Sequence, residues 1–105
     1  MTVLYHPEFA GDIRRYESQY AELSPLLVGR FRADLDSTLA AIVNRPTSAG
    51  HFVNTGSTIL RDVRRRNLSN FHFFVIYGTT DTHLLFGSLI PSASDPLGWL
   101  GRLKT

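Results

Sequence analysis

Three runs decide the fold: Ile59-Leu60-Arg61-Asp62-Val63-Arg64-Arg65-Arg66, then Phe71-His72-Phe73-Phe74-Val75-Ile76-Tyr77, then Leu84-Leu85-Phe86. The middle run is rich in aromatic and β-branched residues, a composition that favours a strand buried on both faces. Phe71, Phe73, Val75 and Tyr77 share one parity, and Phe74 and Ile76 the other. Both faces are therefore apolar, and this strand is predicted to be central. Strands are predicted at about Ile59–Leu68, Phe71–Gly78 and His83–Ile90. The joints between them, Asn67–Asn70 and Gly78–Asp81, are short enough to imply an antiparallel meander.

Four arginines, Arg61, Arg64, Arg65 and Arg66, crowd the first of these strands. Held on a stiff strand, each guanidinium fork can donate two parallel hydrogen bonds, which suits phosphate or carboxylate recognition. The strand has no clean alternation. Arg64 and Arg66 share a parity with Leu60, and Arg61 and Arg65 share one with Val63, so arginine is expected on both faces. The plainer reading is a solvated strand edge whose arginines pair with Asp62 or Asp36.

Working back from the sheet, Thr47–Thr58 is rich in Gly, Ser, Thr and Asn and reads as a loop. Before it lie two helical patterns. Phe9, Ile13, Tyr16, Tyr20 and Leu23 form one apolar stripe, with Asp12, Arg14, Arg15, Glu17, Ser18 and Gln19 outside it. Pro7 sets that helix's start, with Glu8 and Asp12 near its positive end. Leu27, Phe31, Leu35, Leu39 and Ile42 form the second stripe, with Arg30, Arg32, Asp34, Asp36 and Ser37 facing away. Ser24 is placed to cap this helix and Pro25 to occupy its first position. Asn44-Arg45-Pro46 ends it. Two helices with so short a joint make an antiparallel hairpin, whose natural partner is the apolar face of a sheet. Thr2-Val3-Leu4-Tyr5 adds a short N-terminal strand.

Forward of the sheet, Pro91-Ser92-Ala93-Ser94-Asp95-Pro96 closes it. The tail from Leu97 to Lys104 is too short and glycine-containing to stand as an isolated helix, so it must dock. Trp99 and Arg102 in that tail are either a plug on the sheet or contacts for a partner, since exposed Trp and Arg are typical interface anchors. The expected whole is a single α+β domain over residues 1–105: an N-terminal strand, a two-helix hairpin on a mostly antiparallel sheet of about four strands, and a short C-terminal tail.

Bulk properties narrow the function. The 105 residues favour one domain, and hydrophobic residues make up 43% of them. Cysteine is absent, which excludes disulfides, zinc-thiolate sites and thiol catalysis. No apolar run reaches membrane-spanning length, and the start of the chain has no basic region followed by an apolar core. A soluble cytoplasmic protein is expected. The formal charge of +2 is unevenly spread: residues 1–60 hold five arginines against six acids, and residues 61–105 hold five arginines and one lysine against three acids. Ten of the eleven basic residues are arginine, a bias that geometric anion binding and a GC-rich genome would each produce.

His6, His51, His72 and His83 lack metal-ligand spacing. His6 closes the first strand or caps the first helix. Only His72, beside the arginines, is a credible acid–base group. Ser57, Ser69 and Ser92 show no nucleophile-elbow context.

Taken in order, several segments resemble the RelE/ParE superfamily of toxins from bacterial type II toxin–antitoxin systems. Tyr5-His6-Pro7-Glu8-Phe9-Ala10 resembles the family's opening, and Ser24-Pro25-Leu26-Leu27-Val28-Gly29-Arg30-Phe31 its second helix. Val63-Arg64-Arg65 and Phe71-His72-Phe73 through Tyr77 resemble its arginine strand and the strand after it. Asp95-Pro96-Leu97-Gly98-Trp99-Leu100-Gly101-Arg102 is similar to the ending of ParE-like (plasmid stabilisation) members. The resemblance implies a cognate antitoxin with an acidic C-terminal segment that wraps the toxin, and a homodimer or a toxin–antitoxin heterotetramer. It implies growth inhibition without metal or other cofactor, by one of two routes: poisoning of DNA gyrase, as in ParE-like members, or ribosome-dependent cleavage of messenger RNA, as in RelE-like ones.

The chain departs from the family pattern at Pro91 and Ser94, where relatives often carry His and Arg, and at His72, where proline is usual. RNase members need a general acid or base for the 2′-hydroxyl proton and cations for the phosphorane. Losing the late His and Arg favours the gyrase-directed route. Arg61, Arg64, Arg65, Arg66, Trp99 and Arg102 are then the expected contacts for target or antitoxin. On the nuclease reading, Arg64, Arg66 and His72 are the catalytic candidates. A third reading is an inactive homologue that keeps only antitoxin binding.

Overall fold

A computed structural model describes residues 1–47, 51–52 and 62–93. The elements run β1 (Thr2–Tyr5), α1 (Phe9–Leu23), α2 (Pro25–Asn44), β2 (His51–Phe52), β3 (Asp62–Asn67), β4 (Phe73–Thr79) and β5 (His83–Pro91). The strands form one sheet in the order β1-β5-β4-β3-β2. β3, β4 and β5 make the expected antiparallel meander, with β4 in the middle. β1 joins the far edge, parallel to β5, pairing Thr2 with His83 and Tyr5 with Phe86. The fold is α+β, a helical hairpin on a mostly antiparallel sheet.

Two local expectations change. The stretch read as a loop contains β2, whose two residues pair with Arg64 and Arg65 of β3; a strand that short leaves no periodicity to read. Helix α1 begins at Phe9 rather than at Pro7, with Glu8 at its cap position. His6 takes the capping part, its Nδ1 accepting from the Glu8 N–H at 3.1 Å. The cap of α2 is as expected: Ser24 Oγ accepts from the Leu26 N–H at 3.2 Å, and Pro25 follows.

The hairpin lies on one face of the sheet. Phe9, Ile13 and Tyr16 of α1 and Phe31, Leu35 and Ile42 of α2 pack against Phe73, Val75, Tyr77, Leu84, Phe86 and Leu89. Near the β3–β4 turn, Tyr16, Tyr20, Phe31, Phe71 and Phe73 form an aromatic cluster with ring centroids 4.7 to 6.3 Å apart. Tilted pairs of this kind add about 0.5–1.5 kcal/mol each beyond their buried area. On the other face Val63, Phe74, Ile76 and Ile90 are buried together. The two parities of β4 thus serve two separate cores. Leu23, assigned to the α1 stripe, is instead 74% exposed, because it falls in the last turn beyond the sheet.

Two acids counted as outward-facing are buried: Asp12 and Asp34. Both bind backbone N–H groups of the sheet. Asp34 accepts from Ser69 at 3.1 Å and from Asn70 and Phe71 at 2.9 Å each, so it closes the β3–β4 turn. Asp12 accepts from Leu89 at 3.1 Å. That bond sits beside a bulge: Ile76 pairs with Ser88 but Tyr77 with Phe86, leaving Gly87 as the extra residue of β5. No described helix is long and apolar enough to cross a membrane.

Candidate functional site on the arginine strand

Register decides where the arginines go. Arg64 lies opposite Tyr77, Arg65 opposite Ile76 and Arg66 opposite Val75. Directly opposed residues point to the same face. Arg64 and Arg66 therefore stand on the hairpin side with Tyr77 and Val75, and Arg65 stands on the other side with Ile76 and Phe74. The expectation of arginine on both faces holds, and the strand's mixed parity is explained: each face supplies an anchor for a guanidinium.

On the hairpin side, Arg64 Nε donates to both carboxylate oxygens of Asp62 at 3.0 Å. The two side chains are 21% and 20% exposed, so the pair is part-buried yet still touches solvent. Beside it, the Tyr77 hydroxyl donates to the carbonyl of Pro46 at 3.0 Å, tying the end of α2 to β4. Burial pushes the Tyr77 hydroxyl above its ordinary titration range. The Arg64 charge pulls the other way, Asp62 adds to the rise, and Arg66 opposes it. These charges reach Tyr77 because they share its face, which places Arg66 in the same group.

On the far side, the Arg65 guanidinium lies over the Phe74 ring, 3.9 Å from its centroid. It also donates to Asn67 Oδ1 at 3.3 Å. A cation stacked this way gains about 0.5–2 kcal/mol and is held flat, with its edge available for in-plane donors. Arg64, Arg65 and Arg66 are all half-buried. The plain alternative of pairing with Asp62 applies to Arg64; Asp36 pairs with Arg32 instead.

His72 is exposed in the β3–β4 turn, where its carbonyl accepts from the Ser92 N–H at 2.9 Å. It precedes Tyr77 by five residues, so it lies about 16 Å along the strand direction from the level of Arg64, at roughly 3.3 Å per residue. The strand brings Arg64 and Arg66 together, and His72 lies at the turn end, three residues before Val75, the partner of Arg66, so about 10 Å along the strand direction from that level. Arg61, Trp99 and Arg102 lie outside the described residues. Among the described residues, no three His, Asp or Glu converge as a metal-binding group.

Sequence reasoning missed Asp12 and Asp34 as the acids that hold the hairpin to the sheet. The signal was present. Each stands three residues after a buried phenylalanine, Phe9 or Phe31, on the helical face that packs.

No protein-family model matches the chain. No curated protein sequence matches it closely enough to count. Among solved structures, a chain of the chromosomal ParDE toxin–antitoxin system from P. aeruginosa is similar at a TM-score of 0.70 and 13% identity, covering 87% of this chain and 95% of that one. A likeness at that identity is one of fold. The chain therefore shares, over most of its length, the fold of a ParDE toxin–antitoxin chain.

Proposed function

We infer that the chain is a ParE-like toxin of a type II toxin–antitoxin system, which acts by binding a protein target and is held in check by a cognate antitoxin. The observation that carries this reading is the fold likeness to a ParDE chain, at a TM-score of 0.70 and nearly end to end. DNA gyrase is the proposed target. The contacts are Arg61, Arg64, Arg65 and Arg66, joined by Trp99 and Arg102 of the tail. The departures at Pro91 and Ser94, where relatives often carry His and Arg, favour binding over RNA cleavage, which needs a general acid or base and cations at the reacting phosphate.

An acidic antitoxin segment on the arginine strand would mask it until that segment is removed. Replacing Arg64, Arg65 and Arg66 together with alanine is expected to weaken the antitoxin complex about tenfold or more, or ~1.4 kcal/mol. It should also flatten the dependence of affinity on salt. Isothermal titration across ionic strengths checks this, with circular dichroism to show that the variant stays folded. Unchanged affinity at every salt concentration removes the arginines from the interface.

The function itself is tested by inducing the chain alone in a bacterium, with and without its neighbouring small gene. Growth arrest with DNA breaks and an SOS response supports gyrase as target. Rapid loss of translation with cleaved messages supports the endoribonuclease. No effect on growth supports the inactive homologue.

A further inference from the structure

Away from the arginine strand, a cleft of about 590 Å³ opens between the first half of α2 and the β3–β4 turn. Leu27, Ala33 and Phe71 form its apolar wall, and Arg30, Ser37 and Asn70 its polar rim. The volume lies within the range of small-molecule sites, which pair an apolar lining with a few orienting polar groups.

The charges of this cleft are unequal. Asp34 lines it, but both its oxygens are taken by the Ser69, Asn70 and Phe71 N–H groups, and the residue is 6% exposed. Three N–H dipoles directed at it hold that carboxylate in place and turn its oxygens away from the cleft's opening. Arg30 is exposed and has no ion-pair or hydrogen-bond partner among the described residues. The accessible charge of the cleft is thus one guanidinium beside an apolar wall. That combination selects a ligand with an apolar body and a single anionic head. The body displaces water from Leu27, Ala33 and Phe71, while the carboxylate takes the planar fork of Arg30.

We propose that this cleft binds a small amphipathic monocarboxylate, with Arg30 as its anion-recognition residue. The site is separate from the proposed toxin face and does not depend on that reading. Asp34 has a second part here, because the turn it closes is the wall that carries Phe71.

The test uses the full chain, labelled with nitrogen-15 and titrated with 4-phenylbutyrate. The neutral alcohol 4-phenylbutanol is the control of matched shape. Saturable shifts are expected at the amides of Arg30, Asn70 and Phe71. The alcohol should bind at least about fivefold more weakly. Arg30→Gln should weaken the carboxylate about tenfold while leaving the alcohol unchanged, and Arg30→Lys should restore part of the loss. Ala33→Leu, at an exposed position on the cleft wall, should abolish binding of both by filling the space. Shifts centred elsewhere, such as on exposed Leu23 or Val43, overturn the proposal. So does equal affinity for acid and alcohol, or indifference to Arg30→Gln and Ala33→Leu.

Discussion

The two ends of the β3–β4 hairpin each carry a part-buried or buried acid, and the two acids are used differently. At the turn, Asp34 is fully engaged by three backbone N–H groups, which cannot rotate away. At the open end, Asp62 is engaged by the side chain of Arg64, which can. Around the first, five aromatic rings pack the hairpin to the sheet. Around the second stand guanidinium groups that keep contact with water. A charge tied to backbone serves the fold. A charge tied to a side chain is held by a group with rotatable bonds of its own. The difference separates an end fixed by backbone donors from an end held by a side chain in contact with water.

The contrast can be broken by measurement. Asp34→Ala strips a charged acceptor from three donors and should cost about 3 kcal/mol in urea unfolding. Asp34→Asn, which keeps one acceptor oxygen, should cost less. Tyr77→Phe removes the bond to Pro46 and should cost about 1 kcal/mol at neutral pH.

The same substitution sharpens the pH profile. The Tyr77 proton is held above the ordinary value of 10.0 in the folded chain. Above about pH 10 the unfolded chain therefore binds fewer protons than the folded one, and stability falls as pH rises. Tyr20 is shifted in the same direction by burial, so Tyr77→Phe should reduce this alkaline loss without abolishing it. Thermal unfolding between pH 9 and pH 11 would show it, and an identical slope in the variant would exclude Tyr77 as a cause.

A smaller loss than at Asp34→Ala, about 1.5 kcal/mol, is expected at Asp62→Ala, because its partner is part-buried but still touches solvent. A loss there equal to that of Asp34→Ala would erase the distinction and make the arginine end as structural as the turn.

Much of this arrangement could be read in the chain. The helical stripes, the Ser24–Pro25 cap and the two-faced character of β4 follow from local periodicity, because each is decided within one element. The burial of Asp12 and Asp34 was not read, since an acid on a packing face was counted as polar before its distant backbone donors could be known. Asp34 finds its partners 35 to 37 residues away and Asp12 finds its own 77 residues away. The faces of the arginines were equally hidden. Register against Tyr77, Ile76 and Val75 settles them, and register belongs to a pair of strands. For Arg61, Trp99 and Arg102 the sequence remains the only source.

The N-terminal strand has its hydrogen-bonding partner in His83–Phe86 of β5. As the chain is synthesised, Thr2–Tyr5 emerges well before His83–Phe86 and cannot pair until that strand follows. Until then the apolar underside of the helices has no complete sheet to cover it, a state open to aggregation or to capture by a chaperone. A chain cut short before β5 would lack the seat for β1, so this edge of the sheet can close only once His83–Phe86 has been made.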